Sequence, residues 1–259
     1  MNAGAQNGDE RKYIYCIAAG GAAKEFAVRP IGNANGAVYA LCQGDLSAVV
    51  SHAPAEECRV TRENLLAHQL VMEAVMKEHT ILPVRFATIA GAYRDQAAEE
   101  RIKEKLLQAR SPEFKDLLAQ LEGMLALGVK ALWMDMKSIF AEIAEEDMTL
   151  RRLRGRVLPQ DVRIHLGEQV KKALEQKRAK EESRIVNFLR PVAHTLRINE
   201  KFYDRLVTNT TFLVPGSRKP EFDTRVNQLA GEYEGRTKFR YVGPLPPSDF
   251  VEITVAWDE

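Results

Sequence analysis

Apolar positions along this chain switch between a period of two and a period near 3.6, and the switches mark its elements. Tyr13 to Ala19 is a run of β-formers, broken by Gly20-Gly21. Ala37–Cys42 and Leu46–Ser51 are two further strand-length runs. The short Gln43-Gly44-Asp45 link makes them a hairpin. Thr61 and Asn64 then open a helix in which Leu65, Leu66, Leu70, Val71, Val75 and Met76 recur at helical spacing to about Glu78. His79 to Ile89 is extended, and Pro83, which cannot donate to a ladder, places it at a sheet edge or in irregular structure. The helical period returns over about 94–109, with Ile102, Leu106 and Leu107 on the apolar face. Ser111-Pro112 starts another helix, to about 126, that carries Phe114, Leu117, Leu118, Leu121 and Leu125.

From Gly128 the pattern begins again. Gly128–Met134 predicts a strand and 137–145 a helix with Ile139, Phe140 and Ile143 inward. Arg151–Arg156 is a basic turn region ending near Pro159. A long helix follows over about 161–190, with Leu166, Val170 and Leu174 on one stripe and Ile185, Phe188 and Leu189 near its end. Between them, residues 175–184 are polar on every face, so this stretch is expected to project into solvent or meet another surface. Pro191 stops the helix. Strands at 192–198 and 206–214, a helix at 220–233 and a strand at 238–242 complete the series.

Pro244, Pro246 and Pro247 then impose a rigid corner after Gly243. A strand-like run from Phe250 to Trp257 closes the chain, and Phe250 and Trp257 are expected to brace the second sheet. The order of elements predicts an α+β protein of two tandem domains, each an antiparallel sheet with helices on one face. Residues 128–259 have the split β-α-β order of a ferredoxin-like domain. Residues 11–127 suggest a modified version of it, and residues 1–10 a disordered tail.

Composition narrows the function. With 259 residues, 45% hydrophobic and 28% charged, the chain is globular and long enough for two domains. Lys+Arg 37 against Asp+Glu 36 gives no electrostatic case for nucleic acid or an anionic membrane as partner. Cys16, Cys42 and Cys58 are widely spaced, as expected of reduced thiols in the cytoplasm. The first ten residues lack the pattern of a signal peptide, and no apolar run approaches the ~20 residues of a membrane span.

Candidate chemistry is sparse. The chain carries no nucleophile elbow, zinc-protease, P-loop or dinucleotide-binding motif. Its histidines, His52, His68, His79, His165 and His194, show no metal-ligand spacing to one another or to cysteine. No catalytic, cofactor-binding or metal residue is therefore assigned, and no small-molecule substrate. Cys58 lies beside Glu56 and Glu57, which blunt a thiol nucleophile. Arg85 stands among apolar residues; either it holds a carboxylate of a partner or the other domain, or it points to solvent by strand alternation.

These motifs, in this order, resemble the gas vesicle proteins F and L. The shared stretches include Tyr13-Ile-Tyr15, Gly44 to Ser51, Ala67-His68, Ile81-Leu-Pro-Val-Arg-Phe86, Gly128-Val-Lys130, Thr211 to Val214, and Gly243-Pro-Leu-Pro-Pro247 with Phe250-Val251. Pro83, Arg85, Phe86, Gly243, Pro244, Pro246, Pro247 and Phe250 are the signature positions, expected to be structural. Two positions depart from the family's usual pattern: Ala87 stands where glycine often follows the first signature, and Ser248 where an aromatic often follows Pro247. The resemblance implies a non-enzymatic accessory protein of gas vesicles, without cofactor. Such a protein binds the small hydrophobic shell protein and other accessory proteins during assembly, in the vesicle or in the cytoplasm. Two rivals remain at this point: a small-ligand-binding regulatory module, and an enzyme with a site built from distant residues such as Cys58, His68 and Arg85.

Overall fold

The computed structural model describes residues 11–33, 36–54, 58–153 and 159–257; the expected N-terminal tail lies outside them. The chain forms two compact units. The first runs to Met124 and resumes at Leu245, and the second is Leu125–Pro244.

In the first unit, β1 (Lys12–Ala19) lies between β4 (Leu46–His52) and β5 (Ile81–Pro83), and the sheet continues from β4 to β3 (Val38–Gln43) and β2 (Glu25–Phe26). β6 (Ile89–Ala90) also pairs with β1. Strands β1 and β4 are antiparallel from Lys12↔His52 to Ala19↔Leu46, with an irregularity between Ile14 and Cys16. The β3–β4 hairpin turns at Gly44, whose φ of 60° suits glycine. All of β1 except Ala19 is buried, which requires cover on both faces of the sheet. Helix α1 (Arg62–Met76) supplies one cover, packing Val71, Met72 and Val75 on Tyr13, Tyr15, Cys16 and Val49. The other apolar set, including Ile14, Ile17, Ala48 and Val50, is also buried. Helix α3 (Ser111–Leu121) and a π-helical turn (Ile102–Gln108) meet β1, β3, β4 and β5, adding a layer beyond the single face expected.

That turn is preceded by α2 (Ala98–Arg101), so the helix starts about four residues later than the apolar period suggests. Reciprocal hydrogen bonds between Tyr93 and Gln96, at 3.0 and 3.1 Å, close a tight turn there with Arg94 at φ 53°.

The second unit comprises β7 (Met124–Trp133), α4 (Met136–Glu146), α5 (Met148–Leu153), α6 (Gln160–Leu189), β8 (Thr195–Ile198), β9 (Leu206–Pro215), α7 (Lys219–Glu232) and β10 (Thr237–Leu245). Its strands are ordered β10-β7-β9-β8. Ile139 and Ile143 of α4, Ile185 and Leu189 of α6, and Phe222 and Val226 of α7 form one core with Val129, Trp133, Val207 and Phe212. Gly128, where the second domain was expected to begin, is inside β7, and the division between the units falls after Met124. Arg151 and Arg152 lie on α5 rather than in a turn; the remainder of that basic region is outside the described residues.

The polar middle of α6 meets another surface within its own unit. Its first buried residue is Leu174; after it Lys177, Arg178, Glu181 and Glu182 are half-buried and ion-paired, while Glu175, Lys180 and Arg184 are exposed. Lys177 bridges Glu142 (3.0 Å) and Glu146 (2.7 Å), and Glu182 binds Lys201 (2.7 Å). Glu181 accepts from Arg236 and from the Trp133 indole, both at 2.7 Å, while Arg236 also pairs with Glu142. Long side chains lay their stems on the fold and carry their charges to fixed partners, so a helix face can pack without an apolar stripe.

The proline corner also differs from expectation. β10 continues through Gly243 and Pro244 to Leu245, and the Gly243–Pro244 peptide is cis. Pro244 is tolerated because β10 is the outer strand of its sheet. The turn comes afterwards, where the Pro247 carbonyl accepts the N–H groups of Phe250 (2.9 Å) and Val251 (3.0 Å). Phe250–Trp257 forms no regular strand and belongs to the first unit, so it does not brace the second sheet as expected.

Gly243 has a specific reason to be glycine. Its φ is 145°, and a Cβ there would lie 2.8 Å from Leu127 Cδ2 and 3.0 Å from the Ala126 carbonyl oxygen. Gly243→Ala should therefore lower the stability of the second unit by about 1–3 kcal/mol through crowding against β7. Urea unfolding, followed through Trp133 fluorescence, measures that loss.

Candidate functional site

The first signature leaves the sheet at β5 and is held in place by α1. Thr61 caps the helix, its hydroxyl accepting the Asn64 N–H at 3.2 Å. The inward arc of α1 is His68, Val71, Met72 and Val75. His68 is 6% exposed, stacked on Tyr15 and edge-on to Tyr13 and Phe86. Its Nδ1 lies 3.0 Å from the Tyr13 hydroxyl, whose oxygen accepts the Ala87 N–H, also at 3.0 Å. The Val84 carbonyl accepts from the His68 ring. One neutral tautomer serves every partner: Tyr13 donates to Nδ1, and Nε2–H donates to Val84. Burial holds the imidazole neutral and pushes its pKa down to about 4.

The result is that Arg85 and Phe86 are fixed at both ends. Val84 N–H donates to Tyr15 (3.0 Å), continuing the pairing with β1. The Arg85 carbonyl accepts the Thr88 N–H (3.2 Å) and hydroxyl (2.6 Å), closing the turn. Arg85 itself is exposed, directly after the four buried residues Ile81 to Val84. Ala87 sits at φ 63°, in the left-handed region. This is the physical reason for glycine at that place in the family the sequence resembles.

The signature positions fall into two groups. Pro83 is buried in β5 and paired with Cys16, and its carbonyl accepts the N–H of Ile253 at 2.8 Å. Pro246, Pro247 and Phe250 lie in the same unit, with Pro247 buried and the other two half-buried. Gly243 and Pro244 are in β10 of the second unit.

What sequence reasoning missed is on the outer side of α1. Leu65, Leu66 and Leu70, expected in the core, stand 44%, 51% and 45% exposed, and Val60 just before the helix is 75% exposed. Leu66 and Leu70 are one turn apart, on the side away from His68. A signal for this was available, because six apolar positions span more of the helix circumference than one buried arc covers.

Of the distant residues considered for an enzyme site, Cys58 and His68 share one core cluster with Tyr13 and Tyr15, while Arg85 is exposed. Both His68 ring nitrogens are engaged by Tyr13 and Val84, and burial raises the Cys58 thiol above its usual range. Among the described residues, no group of three or more His, Cys, Asp or Glu is placed to hold a metal ion. No helix among them is long and apolar enough to cross a membrane.

Two outcomes follow from the His68 geometry. The folded ring stays neutral down to about pH 4, whereas the unfolded ring takes a proton near 6.5. The His68 contribution is therefore complete above pH 6.5 and is lost as pH falls from 6.5 toward 4, by about 3 kcal/mol in all. Denaturant titrations across that range should show the loss in the parent chain and a flatter profile in His68→Gln. Ala87→Gly relieves a left-handed alanine and should raise stability by about 0.5–1 kcal/mol, read as a shift in urea midpoint.

Comparison with known proteins agrees with this architecture. A crystal structure of GvpF from Anabaena sp. superposes with a TM-score of 0.77 at 23% identity, covering 94% of this chain and 99% of that one. GvpF from Microcystis aeruginosa gives 0.73 at 22% identity, covering 93% and 98%. By sequence, gas vesicle protein F of a Streptomyces species is 28% identical over 229 residues, 86% of this chain and 91% of that protein. Gas vesicle protein F of a Nostoc species is 23% identical over 223 residues, 84% and 88% of the two chains. The family model described as "Gas vesicle synthesis protein GvpL/GvpF" matches residues 11–252, from the first residue of the described fold to the segment that docks beside Pro83. The chain belongs to that family of gas vesicle proteins.

Proposed function

We propose that this protein is a non-enzymatic accessory component of gas vesicles that binds the hydrophobic shell protein and assists its assembly, together with other accessory proteins. The observation that carries this reading is the pair of outward leucines on α1, Leu66 and Leu70, with exposed Leu65 on the helix flank and exposed Val60 just before the helix. A helix with apolar residues on both sides buries one set in its own fold and offers the other to a partner. A shell subunit with an apolar gas-facing surface aggregates unless that surface is covered before assembly. A rigid, leucine-bearing helix is a suitable cover. The fixed inner side of α1, pinned through His68, keeps the outer side presented in one orientation.

The test is capture of the shell protein by the tagged chain, comparing the parent with the double variant Leu66→Asp/Leu70→Asp. Both positions are exposed, so the variant should keep its thermal midpoint while capture falls by about tenfold or more. Equal capture by the variant would move the contact away from α1. Failure of the parent chain to capture shell protein, under conditions where vesicles form, would sink the shell-binding reading itself.

A further inference from the structure

Residues 251–257 lie along the outer side of β5 as an extended segment. Ile253 donates its N–H to Pro83 and accepts the N–H of Arg85 at 3.0 Å, a parallel bridge centred on Val84. Side chains alternate around it. Val251, Ile253, Val255 and Trp257 are buried or half-buried, while Glu252, Thr254 and Ala256 are exposed. Ile253, 3% exposed, is the deep anchor. The Trp257 indole donates to the Ile89 carbonyl (2.9 Å) and meets the Arg101 guanidinium 5.1 Å from its ring. Arg110 donates to the Thr254 carbonyl (3.0 Å). Since β5 ends the ordered strand path on this side, the segment covers main-chain groups of Pro83 and Arg85 that would otherwise be open.

This is the chemistry of peptide recognition by strand addition. Main-chain bonds accept an extended segment, and sockets for alternate side chains select which one. We propose that the Pro83–Arg85 edge is a binding site for an extended segment of a partner protein, aliphatic at the places of Val251, Ile253 and Val255 and aromatic at that of Trp257. Residues 250–257 are its occupant in cis, and the partner's segment takes their place. A loop that only covered an edge would blunt it without selecting side chains; this segment adds three aliphatic side chains and an indole at fixed spacing. It is joined to the rest by a turn at Pro247 and enters the sheet through one bridge rather than a full ladder. The covalent link gives the cis segment a high effective concentration, so a partner must bring further contacts or displace it while it is undocked. The inference rests on backbone geometry at β5 and is independent of the leucines on α1.

The probe is a fluorescein-labelled synthetic peptide of residues 248–257. Full-length chain carrying Ile253→Asp, which unseats its own segment, should bind the peptide saturably. The parent chain should bind it about tenfold or more weakly, because its site is filled. A peptide with the same Ile253→Asp change should not bind. A folded Ile253→Asp chain that ignores the peptide would overturn the proposal. Should that variant fail to fold, a second form keeps the test open: the full chain with a protease site inserted after Asp249, cleaved in its folded state. Replacement of the severed segment by labelled peptide in native buffer supports the site. A severed segment that stays without exchanging, or leaves and is not replaced, refutes it.

Discussion

The two main-chain hydrogen bonds at Ile253 tie β5 to residues 251–257, the returning part of the first unit. Its central strand, β1, is in place within the first described residues. Among the described residues the flank of β5 is covered by Val251 to Trp257, and Trp257 bonds Ile89 across 168 positions of sequence. Contacts of that separation are closed late, because the loop entropy must be met before the contact rewards it. The whole of the second unit is made between the two halves of the first. Until residue 253 arrives, the apolar edge Ile81-Leu82-Pro83 has its outer main-chain groups open, and unpaired edges of that kind invite other strands. The proline in β5 is one defence available during that interval, since Pro83 presents no N–H.

Much of this fold could be read from the residue pattern, for a physical reason. Strands β1, β4 and β9 are apolar-rich runs buried on both faces almost throughout, and helices α1, α4 and α7 each bury apolar side chains at helical spacing, so these elements show in the sequence. What could not be read was set by partners remote in sequence. Phe250–Trp257 has the composition of a strand, and nothing local says which sheet it meets. The Gly243 corner looked like a turn because prolines were counted; in fact the close approach of Leu127 and Ala126 keeps the strand going through Gly243. Position 87 was visible as a departure from the family's glycine. Only the backbone, with φ at 63°, shows that the departure carries strain.

The middle of α6 teaches the same lesson with charge instead of backbone. A polar stretch with no stripe leaves open whether it faces solvent or meets another surface, because periodicity registers only apolar burial. Here Glu142, Glu146, Lys177, Glu181 and Arg236 satisfy one another, and Trp133 donates its indole into the group. Partners on α4, on α6 and just before β10 are needed at once, so no segment alone reveals it. Exposed single pairs of this type contribute little, but a shared network fixes register and direction between elements.

The outward leucines of α1 raise the question whether they are slack in the packing rather than a surface kept for contact. The helix cannot roll to hide them. Turning Leu66 and Leu70 inward would carry His68 out, leaving the Val84 carbonyl and the Tyr13 hydroxyl without their partner. Each buried polar group stranded in that way costs about 1–3 kcal/mol. Val71, Met72 and Val75 would be exposed in exchange, at roughly 1.5–3 kcal/mol apiece, more than two half-exposed leucines recover. The exposure is therefore enforced by the same histidine that positions Arg85 and Phe86. A helix locked in this orientation presents its apolar side at no further conformational cost when a partner arrives, and that preorganisation is what a surface for covering another protein's apolar face requires.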